Sequence, residues 1–152
     1  MTTGKIRKSI VTERVAWVRK MLDGIRNLPL SSYEEFISDA RTSAAAESYL
    51  RRALEALLDL GRHVLAKGFA LAPAEYKGVA DLLTTKGVLS QQTGNLLRQM
   101  AGYRNRMVHF YHEVSQEELH LLCTRHFAEI ELICEEILKW LNEHPDKTDT
   151  TL

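Results

Sequence analysis

Residues 46–68 read AESYLRRALEALLDLGRHVLAKG, and this stretch decides the fold. Ala46, Leu50, Ala53, Leu57, Leu60 and Val64 recur in alternating steps of four and three. That spacing lays apolar side chains along one stripe of an α-helix, which must be buried against other helices. Gly68 after Lys67 is the expected stop. Upstream, Ile10, Trp17, Met21, Ile25 and Leu28 follow the same period and predict a long first helix ending before Pro29, with Ser32 and Glu35 forming a capping-box pattern for a short element. Downstream, Pro73 suits the first turn of a helix carrying Tyr76, Val79, Ala80, Leu82 and Leu83, closed by Gly87. Ser90 then caps another helix, and Ser115 with Glu118 opens a long last one through Leu119, Leu122, Ile130, Ile133, Ile137 and Leu141. No alternating strand pattern intervenes, so the expectation is an all-α antiparallel bundle of four to five helices over residues 1–142, with a flexible polar tail over 143–152.

A chain of 152 residues buries enough surface to fold without disulfides or metal. The two cysteines, Cys123 and Cys134, would stand about 16 Å apart along one continuous helix, too far to pair with each other. No leader pattern and no apolar run near membrane-spanning length is evident, so a reduced, cytoplasmic setting is expected. The six histidines and two cysteines show no metal-ligand spacing, and no glycine-rich phosphate loop is present, so neither metal nor cofactor is expected. Lys plus Arg is 20 and Asp plus Glu is 20, which lacks the strong positive charge of many nucleic-acid binders. The distribution is uneven, however. From Leu82 to His112 no acidic residue occurs, while Lys86, Arg98, Arg104 and Arg106 are basic. Such a strip either holds phosphates or merely solvates a helix face.

Within that strip lies YRNRMVHFYH, residues 103–112, the densest cluster of chemically capable side chains in the chain. RNA can be cut without metal when its own 2′-hydroxyl attacks the adjacent phosphorus, provided one group takes the proton and another supports the charge growing on phosphate. Imidazole, titrating at about pH 6.5 when unperturbed, suits the first task, and guanidinium, always charged and able to grip two oxygens, suits the second. Arg104 and His109 are therefore the candidate catalytic pair, with Asn105 able to orient either, and Arg98, Arg106 and His112 are candidate RNA contacts. On an ideal helix Asn105, His109 and His112 share one face while Arg104 and Tyr111 share another, leaving Arg104 and His109 roughly 140° apart. Convergence on one phosphate then requires a bend, a long arginine reach or a second copy of the site, and a two-fold dimer is the favoured answer.

Arginine, four residues, histidine, one residue, tyrosine, matched by Arg104, His109 and Tyr111, resembles the signature of HepT-like HEPN proteins, and Asn105 matches the usual arginine-asparagine opening. The resemblance extends to residues 47–68 and 100–114, and the helix order agrees over residues 6–141. It implies a homodimeric, metal-independent endoribonuclease, the toxin of a bacterial or archaeal toxin-antitoxin pair, with Arg104 and His109 catalytic. It further implies a minimal nucleotidyltransferase (MNT) antitoxin that transfers AMP from ATP onto Tyr111, placing bulk and negative charge where an RNA backbone would lie.

Blander readings stand beside these. His109 near a helix end can simply complement the dipole, and Tyr111 can be an ordinary half-buried aromatic. Arg106 with His112 also satisfies an arginine-to-histidine spacing, and only Asn105 and Tyr111 select the Arg104 register. Glu55, Asp59 and His63, spaced four apart, form a polar stripe that either supports the site or is solvated and mutually paired. The alternative function is a non-catalytic helical binding subunit of a two-component nucleotidyltransferase.

Overall fold

The computed structural model describes residues 4–109 and 114–151. Five long helices carry the molecule: α1 (Lys8–Arg26), α3 (Ala40–Phe69), α4 (Tyr76–Thr85), α5 (Gln91–Val108) and α7 (Phe127–Glu143). Two short ones, α2 (Tyr33–Ile37) and α6 (Gln116–Thr124), join them. The all-α architecture is that expected.

Helix α3 is the spine, because the six seam residues named above are all buried, together with Leu54, Leu58 and Leu65. Burial of this many branched side chains, each contributing about 1.5–3 kcal/mol, fixes where the other helices lie. Helix α1 runs antiparallel to it: the N–H of Arg7 reaches Nε2 of His63, while Gly24 lies against the ring of Tyr49. Helices α4 and α5 are likewise antiparallel, since Asp81 pairs with Arg98 and a Cβ on Gly94 would collide with Thr84 at 1.8 Å. The buried face of α1 is Val11, Val15, Val18, Met21, Leu22 and Ile25. Trp17, counted on the apolar stripe from sequence, is instead 40% exposed, with the ammonium of Lys20 5.5 Å from its ring.

The caps follow side-chain chemistry. The hydroxyls of Ser32, Ser90 and Ser115 each accept the N–H three residues on, and the Ser115–Glu118 capping box is complete. Gly87, at φ 76°, closes α4 with the paired bonds of a Schellman motif, Gly87 N–H to Thr84 and Val88 N–H to Leu83. Three boundaries differ from expectation. Helix α3 runs through Gly68, which lies against Ile6, and ends one residue later where Ala70 takes the left-handed conformation. Helix α4 starts at Tyr76, after rather than at Pro73. The expected single last helix is two, because the chain breaks at Arg125 and His126, where the His126 ring bonds Glu129. Cys123 and Cys134 therefore sit on different helices, so the axial estimate no longer applies; both are free and buried. Burial pushes both thiols up to about 12, which removes them as nucleophiles.

Beyond Glu143, where polar composition led to the expectation of a loose tail, Pro145–Lys147 forms a 3-10 turn and Thr148–Asp149 pairs in parallel with Ile6–Arg7. The Lys147 ammonium donates to the carbonyl of Gly68, tying that end to α3.

An alanine at position 87 would keep the same neighbours but must adopt φ 76°. Gly87→Ala is expected to lower stability by about 1 kcal/mol, measured as a shift in the urea midpoint with unchanged slope.

Candidate functional site

Asn105 accepts the N–H of His109 through its backbone carbonyl at 3.2 Å, and there α5 stops. His109 itself is extended, at φ −105° and ψ 100°. Arg104, Asn105 and His109 line one groove of about 350 Å³ with Arg62, Ala74, Glu75 and Tyr76.

Arg104 is held from several sides, with its side chain 23% exposed. Its guanidinium carbon lies 4.7 Å from the centre of the Tyr76 ring, and that of Arg62 lies 4.5 Å from the same ring. The Nε–H groups of both arginines are buried and have no hydrogen-bond acceptor among the described residues. The electron-rich ring is the surface they lie against, a favourable cation–π contact. The Tyr76 hydroxyl in turn donates to Asp59 at 2.9 Å, which, after burial, raises the tyrosine pKa and keeps the phenol protonated. Glu55 approaches Arg104 at 3.6 Å while bonding Arg51 at 3.2 Å, and Arg104 donates to the Asn105 side-chain oxygen at 3.4 Å. At 3.6 Å the Glu55 contact, made to the buried Nε, is longer than a hydrogen bond.

The polar stripe therefore divides. Glu55 and Asp59 support the arginine site, by way of Arg104 and Tyr76, whereas His63 accepts the Arg7 N–H and burial lowers its pKa. None of the three pairs with another. Arg62 and Tyr76 are site residues that sequence reasoning missed. The signal was slight: Arg62 lies seven residues, two turns, after Glu55 on the stripe face, and Tyr76 had been assigned to the apolar face of α4.

The basic strip also divides. Arg98 is paired with Asp81 and lines neither groove at the α5 end. Arg106 grips Glu118 of α6 with two bonds, 2.7 and 2.9 Å, and this hydrogen bonding holds the Glu118 carboxyl down to about 2 from its ordinary 4.5. Tyr111 and His112 lie outside the described residues. Among the described residues no three His, Cys, Asp or Glu side chains cluster as metal ligands, and no helix is long and apolar enough to cross a membrane.

The chain is an all-α bundle with a guanidinium and an imidazole at one helix end, and sequence comparison specifies its family. Residues 18–137 match the family described as Ribonuclease HepT-like, and the chain belongs to that family. No curated protein matches it closely enough to be counted a relative. Among solved structures, a chain of a toxin-antitoxin complex with AMP-PNP superposes with a TM-score of 0.79 at 20% identity, covering 87% of this chain and 99% of that one. A chain of the tri-AMPylated Shewanella oneidensis HEPN toxin in complex with MNT antitoxin gives 0.79 at 21%, covering 86% and 97%. YutE of Bacillus subtilis, a cytosolic protein of unknown function, gives 0.76 at 18%, covering 90% and 92%. At these identities the likeness establishes the HEPN fold.

Two outcomes test the site's construction. Tyr76→Phe removes the bond to Asp59 but keeps the ring, so stability should fall by about 1 kcal/mol. Glu118 has a lowered folded-state pKa, so its contribution is fully present above about pH 4.5 and is lost as pH falls toward 2. Because the pair is partly solvated, that contribution is about 1 kcal/mol or less. Glu118→Gln should therefore flatten the stability profile across that acid window, measured by denaturant titration at stepped pH.

Proposed function

We propose that this chain is a metal-independent endoribonuclease toxin whose catalytic residues are Arg104 and His109. The observation that carries the reading is the shared groove created when α5 ends at Val108 and His109 leaves it in extended conformation. In the reaction the His109 imidazole takes the proton of an RNA 2′-hydroxyl, whose oxygen then bonds to the adjacent phosphorus. The bond from phosphorus to the 5′-oxygen breaks, and that oxygen leaves with a proton from solvent. The products are a 2′,3′-cyclic phosphate and a free 5′-hydroxyl. Arg104 holds the non-bridging oxygens as their charge grows. Tyr76, with Asp59 behind it, fixes the guanidinium plane, and Arg62 adds a second cation to the same groove. Asn105 orients the pair through its contacts to both.

Family membership supports the remaining parts of this reading. The protein acts in the cytoplasm as a homodimer, and a minimal nucleotidyltransferase antitoxin silences it by transferring AMP to Tyr111. The adenylyl phosphate would bring negative charge beside Arg104 and exclude an RNA backbone.

His109→Ala should abolish cleavage of total RNA, in chelator as well as without it, and abolish growth arrest, while thermal unfolding is unchanged. Arg104→Lys should lower cleavage at least about a hundredfold, because an ammonium cannot reproduce the planar two-point grip. Cutting by the His109 variant at the wild-type rate would reject this assignment. Wild-type protein that cuts no RNA would leave the binding-subunit reading in its place.

A further inference from the structure

Asn105 and His109 belong to two grooves at once. The arginine groove described above lies on one side of them. On the other lies a groove of about 340 Å³ lined by Lys77, Gln99, Gly102, Tyr103 and Arg106. Beside the shared Asn105 and His109 it offers the Tyr103 ring, with the Arg106 guanidinium 5.7 Å from its centre, the Gln99 amide and the Lys77 ammonium. Arg106 is bound to Glu118, but Lys77 and Gln99 make no hydrogen bond or ion pair among the described residues. Gly102 keeps the space beneath the lysine open, since a Cβ there would lie 3.6 Å from Lys77 Cε and 4.0 Å from its Nζ.

A flat ring beside an amide whose donor and acceptor are both unspent matches an unstacked nucleobase, which offers a face for stacking and an edge of alternating donors and acceptors. Geometry adds a second argument. The base and phosphate of one nucleotide are joined through one sugar, so the cavities that receive them must share a wall, and Asn105 with His109 forms it. The volume is at the small end for ligand pockets, suited to a single base rather than to a run of them.

Resting on the ribonuclease reading, we infer that this second groove is a base-reading subsite. It receives the unstacked base next to the phosphate held at Arg104 and His109, with Tyr103 as stacking face, Gln99 reading the edge and Lys77 adding a donor above Gly102. Tyr103 and Gln99 lie four residues apart on α5, one turn, so both approach a bound base from the same helix face.

The test is cleavage of an RNA pool randomised around the cut, with every cut position sequenced, for wild type, Gln99→Ala and Gly102→Ala. Wild type should prefer particular bases beside the cut. In Gln99→Ala that preference should fall about tenfold, the size of one good base contact, because favoured sites slow toward the rate of the others. Gly102→Ala should lose preference similarly while its Tm stays at or above wild type, since alanine is the better helix residue and the added methyl meets only ordinary contacts. If both variants cut with unchanged preference, the subsite is rejected and the ribonuclease reading stands. If wild type cuts nothing, both fall.

Discussion

The Arg106–Glu118 pair governs what happens at the end of α5. Arg106 is in the last turn of that helix, and Glu118 is the third residue of α6, where it also accepts the Ser115 N–H. The two bonds join the chain immediately before and immediately after residues 110–113. With α6 thereby fixed against the last turn of α5, the backbone must turn out of the helix within a few residues of Arg106. His109 is where it does so. At the opposite end, Glu136 of α7 accepts both the Ser90 N–H and the Thr93 hydroxyl, anchoring the first turn. A helix pinned at both ends by carboxylates from other helices has little freedom to slide, and groups displayed along it keep their register.

Helix α3 connects the core to the site. One face supplies the leucine and alanine seam, and the other supplies Glu55, Asp59 and Arg62 to the groove. Because the seam is close-packed, the polar face is held as rigidly as the apolar one. Tyr76 then transmits that rigidity to Arg104: its hydroxyl is fixed by Asp59 and its ring lies against the guanidinium. A long cationic side chain usually loses much rotamer freedom when it is fixed in place. Here part of that ordering is completed on folding.

The fold was legible because the hydrophobic period is strong and the serine caps are local chemistry. Ala46 through Val64 needed only counting, and Ser90 and Ser115 needed only the positions three residues beyond them. What escaped was whatever depends on two helices meeting. Trp17 fits the apolar period of α1, and Met21 and Ile25 of that stripe are buried, yet Trp17 itself lies at the edge of the covered face. Gly68 looks like a stop, but its missing side chain makes room for Ile6. The motif was readable at Arg104, Asn105 and His109, while Arg62 and Tyr76, which come from α3 and α4, carry no signal of spacing relative to it. On an ideal helix Arg104 and His109 point roughly 140° apart, and both nonetheless line one groove.

In a chain with 20 basic and 20 acidic residues, pairing decides which cations keep their field. The acid-free strip suggested Arg98 and Arg106 as partners for RNA, but each meets a carboxylate supplied by another helix, Asp81 and Glu118. Arg104 keeps only a loose carboxylate contact, and Arg62 reaches Asp59 at no better than 3.9 Å while bonding the Ala74 carbonyl. Lys77 has no carboxylate partner among the described residues. Charge that is already neutralised at short range attracts phosphate weakly, whereas loosely paired guanidiniums retain most of their field. Sorting cations by how tightly they are paired thus sets Arg98 and Arg106 apart from Arg62, Arg104 and Lys77, and these three line the two grooves that share Asn105 and His109.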